Sequence, residues 1–403
     1  SVAITGEDGI QNSFLNAGDN VSVTATFSET VIVDNSSGNP TITLVVGSDN
    51  RTATYTSGDN STRLVFRYTI KATGTSGEND DDGISIPQHA LALDNGTIKD
   101  LAGNNATLTH SLVSDNSSVK VDTTLPTVSV AITGEDGIQN SFLNAGDNVS
   151  VTATFSETVI VDNSSGNPTI TLVVGSDNRT ATYTSGDNST RLVFRYTIKA
   201  TGTSGENDDD GISIPQHALA LDNGTIKDLA GNNATLTHSL VSDNSSVKVD
   251  TTAPSVDNFT ISDTLLTIGE TMAVTLVFSE AVCTDFSVCG SNVFSNDDIT
   301  VPDLDNGTTP GTLSTMTSDN NDNETWRGTF TPATNAEDNS SRLSLGTSYT
   351  DLAGNNGPDN QTENFEIDTL APTVSVAITG EDGIQNSFLN AGDNVSVTAT
   401  FSE

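Results

Sequence analysis

The clearest periodic segment of the chain is residues 20–29, which read NVSVTATFSE. Apolar side chains occupy every second position and alternate with Ser and Thr, a pattern typical of a β-strand with one buried face. The same alternation recurs at 40–47 and 62–71. No stretch of about ten residues has the 3.6-residue period of an amphipathic helix. These segments therefore predict half-buried strands.

Turn-forming residues separate about seven such segments along the first 124 residues. Gly, Pro, Asn and Asp cluster at 37–40, 47–50, 57–60 and 74–83, where they favour tight turns. The predicted strands are 1–6, 20–29, 40–47, 51–57, 62–71, 84–99 (interrupted) and 117–122. Short antiparallel strands with turns between them predict an all-β fold of tandem immunoglobulin-like (Ig-like) β-sandwiches, with about seven strands each.

The chain is built from repeats. Residues 1–124 recur without change at 129–252, and the same text restarts at 375–403. A divergent unit between the second and third copies keeps the landmarks of the others. An internal repeat of this length indicates a tandem array of one domain. The predicted domains are repeat 1 at 1–124, its identical copy repeat 2 at 125–252, the divergent repeat 3 at 253–371, and the truncated start of a further repeat at 372–403.

The composition excludes several classes of partner. The chain has 53 acidic and 14 basic side chains, which leave a formal net charge of −39. Nucleic acids and anionic membrane surfaces are bound through Lys and Arg, so neither is an expected partner. No run of about 18 apolar residues occurs, so we expect no membrane insertion. The strand-like sequence at Ser1 predicts that no signal peptide is present.

The odd number of predicted strands determines how the repeats connect. If seven strands alternate in direction, the chain enters at one pole of the sandwich and leaves at the other. Successive repeats are then joined end to end in an elongated rod. Glu29 and the loop 100–104 fall at the incoming pole of repeat 1, and the turn 6–9 falls at its outgoing pole beside Asp122. Oxygen-rich turns of successive repeats are therefore predicted to face each other.

Three short motifs carry a family resemblance. In repeat 1 they are Phe27–Glu29 (FSE), Asp100–Asn104 (DLAGN) and the linker Val121–Thr127 (VDTTLPT). Repeat 3 has the corresponding set at 278–280, 351–355 and 367–372. Over essentially the whole chain, the motifs resemble the bacterial Ig-like tandem repeats of giant calcium-binding surface adhesins, of the biofilm-associated and RTX-adhesin extender type. The resemblance implies an extracellular, cell-surface extender module, in a family where many members bind calcium at domain junctions.

The end-to-end arrangement gathers calcium-binding side chains at each junction. Ca²⁺ takes about six to eight hard oxygen ligands from carboxylates, amides and carbonyls. The predicted ligands at the first junction are Glu7, Asp8, Asp122, Glu157, Asp228 and Asn232. Those at the second junction are Glu135, Asp136, Asp250, Glu280, Asp351 and Asn355, and the third offers Asp368, Glu403 and Asp263. Because close carboxylates repel, we expect loose junctions without a cation.

Some of these acidic residues also have a simpler interpretation. Asx residues often shape tight turns, which would account for Asp100 and Asn104, and Glu29 could be a solvated strand end. A second acidic run, 78–83, recurs at 206–211. It lacks the frame and the bidentate Glu of an EF-hand, so we expect a solvated loop.

The two cysteines, Cys283 and Cys289, lie six positions apart in repeat 3. An extracellular setting favours a loop-closing disulfide over a metal site or a catalytic pair. The other repeats contain no cysteine, so the fold does not depend on this bond.

These observations predict a non-enzymatic spacer in a long adhesin, with a role in cell adhesion and biofilms. Its partners would be neighbouring Ig-like repeats of the same chain, and a host-surface or matrix ligand would bind elsewhere in the parent protein. Two alternatives stay open. Each sandwich could bind a glycan or a protein and act by avidity. Chains could instead assemble into a filament or a surface layer by strand exchange.

Overall fold

The computed structural model describes residues 1–72, 78–200, 206–301 and 309–403, and nearly all of its regular elements are β-strands. The prediction of an all-β fold is confirmed. The described residues form two compact units. The first comprises Ser1–Asp136, Asn148–Thr197 and Asp210–Asn244, and the second comprises Gly137–Asp147, Ile198–Asp209 and Ser245–Glu403. The division runs through repeat 2, in which residues 125–136, 148–197 and 210–244 belong to the first unit and residues 137–147, 198–209 and 245–252 belong to the second.

Repeat 1 lies within the first unit. Its strands are β1 (Val2–Asp8), β2 (Phe14–Leu15), β3 (Asn20–Asp34), β4 (Thr41–Val46), β5 (Asp49–Ser57), β6 (Ser61–Thr69), β7 (Leu91–Ala92), β8 (Thr97–Asp100) and β9 (Lys120–Val121). Seven of them form an antiparallel sheet in the order β1-β3-β6-β5-β4-β7, with β8 also paired to β3. The other two, β2 and β9, pair in parallel as a small second sheet.

Alternate side chains of these strands form the core of repeat 1. Val21 and Val23 of β3 and Phe66 of β6 are fully buried, as the period of two predicts. Leu15 of β2 and Val121 of β9 belong to the same apolar cluster and are also fully buried. Each such side chain contributes about 1.5–3 kcal/mol of burial free energy. The small sheet therefore supplies the second layer of the sandwich.

The strand predicted at 20–29 is longer in the structure, because β3 continues to Asp34. Its pairing with β6 shifts register between Thr26 and Val31, and its second half pairs with β8. The residues between these two positions form a bulge inside one strand, so the turn predicted at Glu29 is wrong. The bulge lets the strand exchange one partner for another. The strand predicted at 84–99 is reduced to β7, β8 and isolated bridges.

The second acidic run is only in part the solvated loop that its composition predicts, because Asp81 and Asp82 are exposed but its other two acids are buried. Glu78 is 3% exposed and Asp80 is 6% exposed. Glu78 accepts hydrogen bonds from Arg51 Nε at 2.5 Å, from the Tyr68 hydroxyl and from the Lys71 backbone N–H at 3.2 Å. The burial was not predicted because Arg51 and Tyr68 lie in β5 and β6, and the composition of the run does not show that these strands bring their side chains to Glu78.

Repeat 2 reproduces the strands of repeat 1. They are β10 (Val128–Asp136), β11 (Phe142–Leu143), β12 (Asn148–Asp162), β13 (Thr169–Val174), β14 (Asp177–Ser185), β15 (Ser189–Thr197), β16 (Asn207–Asp208), β17 (Leu219–Ala220), β18 (Thr225–Asp228) and β19 (Lys248–Asp250). Its seven-stranded sheet, in the first unit, keeps the register of repeat 1, with Val149 opposite Tyr196 as Val21 is opposite Tyr68. In the second unit, β11, β19 and β16 form a three-stranded sheet.

Repeat 3 belongs to the second unit and has shorter strands. They are β20 (Val256–Ile261), β21 (Leu265–Leu266), β22 (Met272–Phe278), β23 (Ile299–Thr300), β24 (Gly311–Leu313), β25 (Thr317–Ser318), β26 (Thr325–Pro332), β27 (Glu337–Ser341), β28 (Ser344–Leu345), β29 (Asn360–Gln361) and β30 (Phe365–Asp368). Helix α1 (Phe286–Cys289) and a 3₁₀ turn (Asn296–Asp298) complete the repeat. Among the described residues, no helix has the length and apolar character needed to span a bilayer.

The core of repeat 3 is aromatic where that of repeat 1 is mainly aliphatic. The ring centroid of Phe294 lies 4.8 Å from that of Trp326 and 5.3 Å from that of Phe278. Both contacts are edge-on, a geometry that aromatic pairs prefer. Cys283 and Cys289 are joined by a disulfide that closes the loop containing α1. Both cysteines are buried, so the bond packs inside the repeat.

The remaining residues form a hairpin of β31 (Val374–Asp382) and β32 (Asn394–Phe401). Val374 lies opposite Phe401, just as Val128 lies opposite Phe155 in repeat 2. The identical sequence therefore adopts the identical register.

Candidate metal centres at the repeat junctions

The first junction brings together three carboxylates that are far apart in sequence. Asp122, Glu157 and Asp228 each place one oxygen within 4.8 Å of the other two. Asp228 is 3% exposed, whereas Asp122 and Glu157 are half-buried. All three were predicted as ligands. Their arrangement concentrates up to three negative charges in a partly dehydrated space.

Three different elements position these side chains. Asp122 follows β9 of repeat 1, and its own carboxylate accepts a hydrogen bond from the Thr124 backbone N–H at 2.9 Å. Glu157 lies in the bulge of β12, between the register positions Thr154 and Val159. Asp228 is the last residue of β18 and begins the loop 228–232. The bulge that was not predicted is therefore what directs Glu157 towards the junction.

Asn232 connects the linker to the loop of repeat 2. Its amide nitrogen, Nδ2, donates to the backbone oxygen of Asp122 at 2.9 Å and to Asp228 Oδ2 at 2.8 Å. Asn232 was predicted as a ligand, but in the structure its amide acts as a donor that holds two of the carboxylate-bearing segments together.

The second junction has the same arrangement in a different sequence context. Asp250, Glu280 and Asp351 again place one oxygen each within 4.8 Å of one another, and Asp351 is 1% exposed. Asn355 Nδ2 donates to the Asp250 backbone oxygen at 3.0 Å and to Asp351 Oδ2 at 2.8 Å. Repeat 3 differs from repeat 2 in most of its sequence but keeps the Phe-Ser-Glu and Asp-Leu-Ala-Gly-Asn motifs, so the arrangement recurs with these motifs in the shared fold.

Burial and mutual repulsion alter the acidity of both clusters. Burial, together with the charges of Asp122 and Asp228, raises the pKa of Glu157 to about 7 from its ordinary value of 4.5. Burial and the charges of Asp250 and Asp351 likewise raise the pKa of Glu280 to about 7. Carboxylates that resist ionisation in this way are stabilised by a cation.

The identical repeats separate the effect of the junction from that of the local sequence. Asp100 and Asp228 accept the same two hydrogen bonds, from the N–H and the Nδ2 of the Asn four residues later. The bonds from Asn104 lower the pKa of Asp100, whereas burial raises the pKa of Asp228 despite the same bonds, with a further contribution from the charge of Asp122. The tertiary contact alone therefore reverses the direction of the shift.

The opposite pKa shifts of Asp100 and Asp228 predict how the stability of the junction depends on pH in the absence of calcium. A raised carboxyl pKa means that the folded junction binds protons more tightly than the unfolded chain does. The stability of the junction should therefore be greatest below pH 4.5 and should fall as the pH rises through 7, where Glu157 ionises. Carboxyl-carbon chemical shifts, recorded against pH in a chelator, should give Asp228 a higher midpoint than Asp100. Equal midpoints for these two residues would contradict the assignment.

Seven of the predicted carboxylate ligands are in neither cluster, among them Glu403 and Asp263 of the third junction. Glu7 and Asp8 lie in β1, opposite Val21 and Asn20, and Asp368 ends β30 opposite Glu337. Glu135 and Asp136 occupy the corresponding positions in β10. The prediction treated the turn 6–9 as the outgoing pole, but β1 continues through Asp8, so these side chains remain on the strand.

A role for the side-chain amides of the outgoing turn at the junction was not predicted from the sequence. Asn12 and Asn16 of repeat 1 approach the loop 228–232 of repeat 2 from positions just beyond β1. The signal in the sequence is a concentration of Gln and Asn between residues 11 and 16.

The fold and these junctions define a chain of tandem Ig-like β-sandwich repeats. Residues 250–367 match the family of bacterial Ig-like domains. No curated protein matches the chain.

Several solved structures are similar to the chain at low identity. The Escherichia coli adhesin FdeC is 12% identical, with a TM-score of 0.33, over 91% of this chain and 99% of that one. The latent PorU of Porphyromonas gingivalis is 10% identical, with a TM-score of 0.19, over 83% and 34%. The Bacteroides ovatus protein SGBP-B, in complex with a mixed-linkage heptasaccharide, is 12% identical, with a TM-score of 0.13, over 95% and 71%.

Proposed function

We propose that the chain is a non-enzymatic extender segment of a bacterial surface adhesin, and that calcium at the junctions stiffens it. The observation that carries this proposal is the recurrence of three converging carboxylates at two junctions whose repeats differ in sequence. A solvated acidic turn has no physical reason to bury Asp228 and Asp351 beside two further acids. A bound cation supplies that reason.

The ligand set favours calcium over other metals. Each cluster is composed of three carboxylates, which are hard oxygen ligands. Zinc and copper sites generally use imidazole or thiolate. Three carboxylates offer up to six oxygens, which suits the large and flexible coordination sphere of Ca²⁺ better than the strict octahedron of Mg²⁺. Asp122, Glu157 and Asp228 would hold the first ion, and Asp250, Glu280 and Asp351 would hold the second.

Neutralisation of repulsion is the mechanical contribution of the ion. Two unit charges about 5 Å apart repel by roughly 3 kcal/mol at an effective dielectric constant near 20. A cation shared by the linker Asp and the two acids of the next repeat turns this repulsion into attraction. Because each ion bridges two repeats, its binding restricts their relative movement.

The array as a whole suits an extracellular position at the cell surface. Identical neighbouring repeats add length without dividing a chemical task, and the net charge of −39 keeps such a chain soluble and resists lateral association. The partners of each repeat would be its neighbours in the same longer chain. A host-surface or matrix ligand would be bound by another part of the parent adhesin, in cell adhesion or biofilm formation.

Small-angle scattering of the 403-residue chain tests the proposal. With calcium bound, fewer orientations of neighbouring repeats should remain accessible. The chain should therefore adopt a narrower range of maximum dimensions with calcium than in chelator. The double variant Asp228→Asn with Asp351→Asn is the control, and its scattering should not respond to calcium. Superimposable curves for the unmodified chain with calcium and with chelator would exclude the stiffening role.

A further inference from the structure

The outgoing loop of repeat 1, residues 11–16, donates two hydrogen bonds to the incoming loop of repeat 2, residues 228–232. Asn12 Nδ2 bonds to the backbone oxygen of Leu229 at 2.9 Å. Asn16 Nδ2 bonds to the backbone oxygen of Ala230 at 2.7 Å. The two acceptors are consecutive backbone carbonyls of the incoming loop, so the two amides contact its backbone and not its side chains.

The same incoming loop fits its neighbour closely at a glycine. A Cβ added to Gly231 would lie 2.5 Å from the side-chain nitrogen of Gln11. The equivalent Gly103 of repeat 1 has nearly the same φ, +94° against +91°, but no described atom would lie within 4 Å of its Cβ. Ala230 is 1% exposed, whereas its counterpart Ala102 is exposed. Docking therefore buries this loop, and the absence of a side chain at Gly231 permits it.

The second junction repeats these contacts one for one. Asn140 Nδ2 donates to the Leu352 backbone oxygen and Asn144 Nδ2 to the Ala353 backbone oxygen, both at 2.8 Å. A Cβ on Gly354 would lie 2.5 Å from the Gln139 side-chain nitrogen. Repetition against the divergent repeat 3 indicates a conserved mode of contact within this chain.

We propose that the Gln/Asn outgoing loop and the Asp-Leu-Ala-Gly-Asn incoming loop form a matched docking pair that joins successive repeats without a cation. The donors are neutral amides and the acceptors are backbone carbonyls, so neither partner needs charge compensation. The amides contact the backbone oxygens of Leu229 and Ala230, whereas the proposed calcium ligand of the same loop is the Asp228 carboxylate, so the two interactions use different groups. Calcium would then stiffen a contact that the amides have already formed.

The outgoing loop is the member of the pair that carries specificity. All three complete repeats contain the same incoming loop, but repeat 3 has a different outgoing loop. Leu15 pairs with Val121 as Leu266 pairs with Ile367, and this register aligns the two loops. The amide positions of repeat 1 then correspond in repeat 3 to Ser262, Asp263 and Thr267.

The substituted side chains of repeat 3 are engaged within their own loop. Asp263 Oδ1 accepts from the Leu265 N–H at 3.1 Å, and Thr267 Oγ1 donates to Glu270 at 2.8 Å. Ile268 beside them is 65% exposed. The outgoing loop of repeat 3 has no Gln or Asn side chain at these positions. Repeats 1 and 2 can therefore form the docking pair with the repeat that follows them, whereas repeat 3 cannot.

Hydrogen exchange of the 403-residue chain in chelator tests the pair. Residues 98–106 and 226–234 share the sequence IKDLAGNNA, so one peptide mass reports on both incoming loops. The unmodified chain should give two populations of equal size, the protected one from repeat 2. In Asn12→Ala with Asn16→Ala the protection should fall about tenfold or more, the order expected from the loss of two hydrogen bonds.

Matched variants keep the test decisive. Asn140→Ala with Asn144→Ala should leave the shared peptide in two populations and deprotect residues 349–357 of repeat 3. Gly231→Ala should deprotect the docked loop, whereas Gly103→Ala, which carries the same positive-φ strain, should not. Peptides from β6 and β15 should stay protected in every variant, which verifies folding. A single fast population in the unmodified chain that becomes two only with calcium would overturn the proposal, as would unchanged protection in Asn12→Ala with Asn16→Ala.

Discussion

Replacing Asp228 by Asn should abolish tight calcium binding at the first junction, whereas Asp100→Asn in repeat 1 should have no effect. The two substitutions fall at the same position of identical sequences, but only Asp228 meets Asp122 and Glu157. The Asn amide oxygen can still accept the backbone N–H of Asn232, which shapes the loop, but the bond from Asn232 Nδ2 is lost. Asp100→Asn loses the corresponding bond from Asn104, so the comparison of the two variants isolates the junction charge. We expect the affinity to fall about 100-fold, or roughly 2.7 kcal/mol.

Isothermal titration of the whole chain measures this loss as one fewer ion bound. Asp351→Asn should remove the other ion independently, and combining it with Asp228→Asn should remove both. Far-UV circular dichroism provides the control that each variant remains folded. If Asp100→Asn weakened binding as much as Asp228→Asn, calcium would be held by a local turn, and the junction assignment would be wrong.

Replacing Glu78 by Ala should destabilise repeat 1 by about 1–3 kcal/mol, because removal of this buried carboxylate leaves the buried Tyr68 hydroxyl without its acceptor. The Glu78 side chain is 1% exposed and that of Arg51 is 25% exposed. Burial and the bond to Glu78 both raise the pKa of the Tyr68 hydroxyl, so it stays a neutral donor. Loss of Glu78 would therefore leave the Tyr68 hydroxyl without this acceptor, whereas Arg51 would keep its ion pair with Asp49 at 2.9 Å.

Asp82→Ala is the matched control for Glu78→Ala, since Asp82 is an exposed acid of the same run. We expect it to change the free energy of unfolding by no more than about 0.5 kcal/mol. Urea denaturation of the whole chain, followed by hydrogen exchange, can assign the effect, because peptides 61–69 and 189–197 are identical. In Glu78→Ala one half of that signal should lose protection at lower urea. Equal stability of the two variants would show that the buried pair is not a stabilising element.

Alternation of apolar residues was enough to predict the long strands, but not the irregular positions. The pattern at Val21, Val23 and Ala25 sets which face of β3 is buried, because side chains alternate across a strand. It could not show that β3 passes Glu29 as a bulge, since bulges depend on which partner strand lies opposite. The same limit applies to Glu78, whose partners Arg51 and Tyr68 are provided by neighbouring strands.

The candidate site, too, was predicted from the sequence only in part. The linker Asp, the Phe-Ser-Glu motif and the Asp-Leu-Ala-Gly-Asn loop were recognisable, and six of the predicted carboxylates converge as two clusters. Glu7, Asp8, Glu135, Asp136 and Asp368 do not, because composition cannot show where a strand ends and its turn begins. The amides that join the repeats were hidden among ordinary turn residues.

The order of residues alone established the repeats, the strand period, the acidic character and the identity of the acids that could meet. Folding decided which of them do meet. Asp100 and Asp228 stand in identical sequences and make identical local hydrogen bonds, yet their pKa values shift in opposite directions. The pKa of a carboxyl depends on nearby charges and on its loss of water contact. The neighbouring repeat buries Asp228 and brings Asp122 close to it, so it changes both conditions for Asp228 and neither for Asp100.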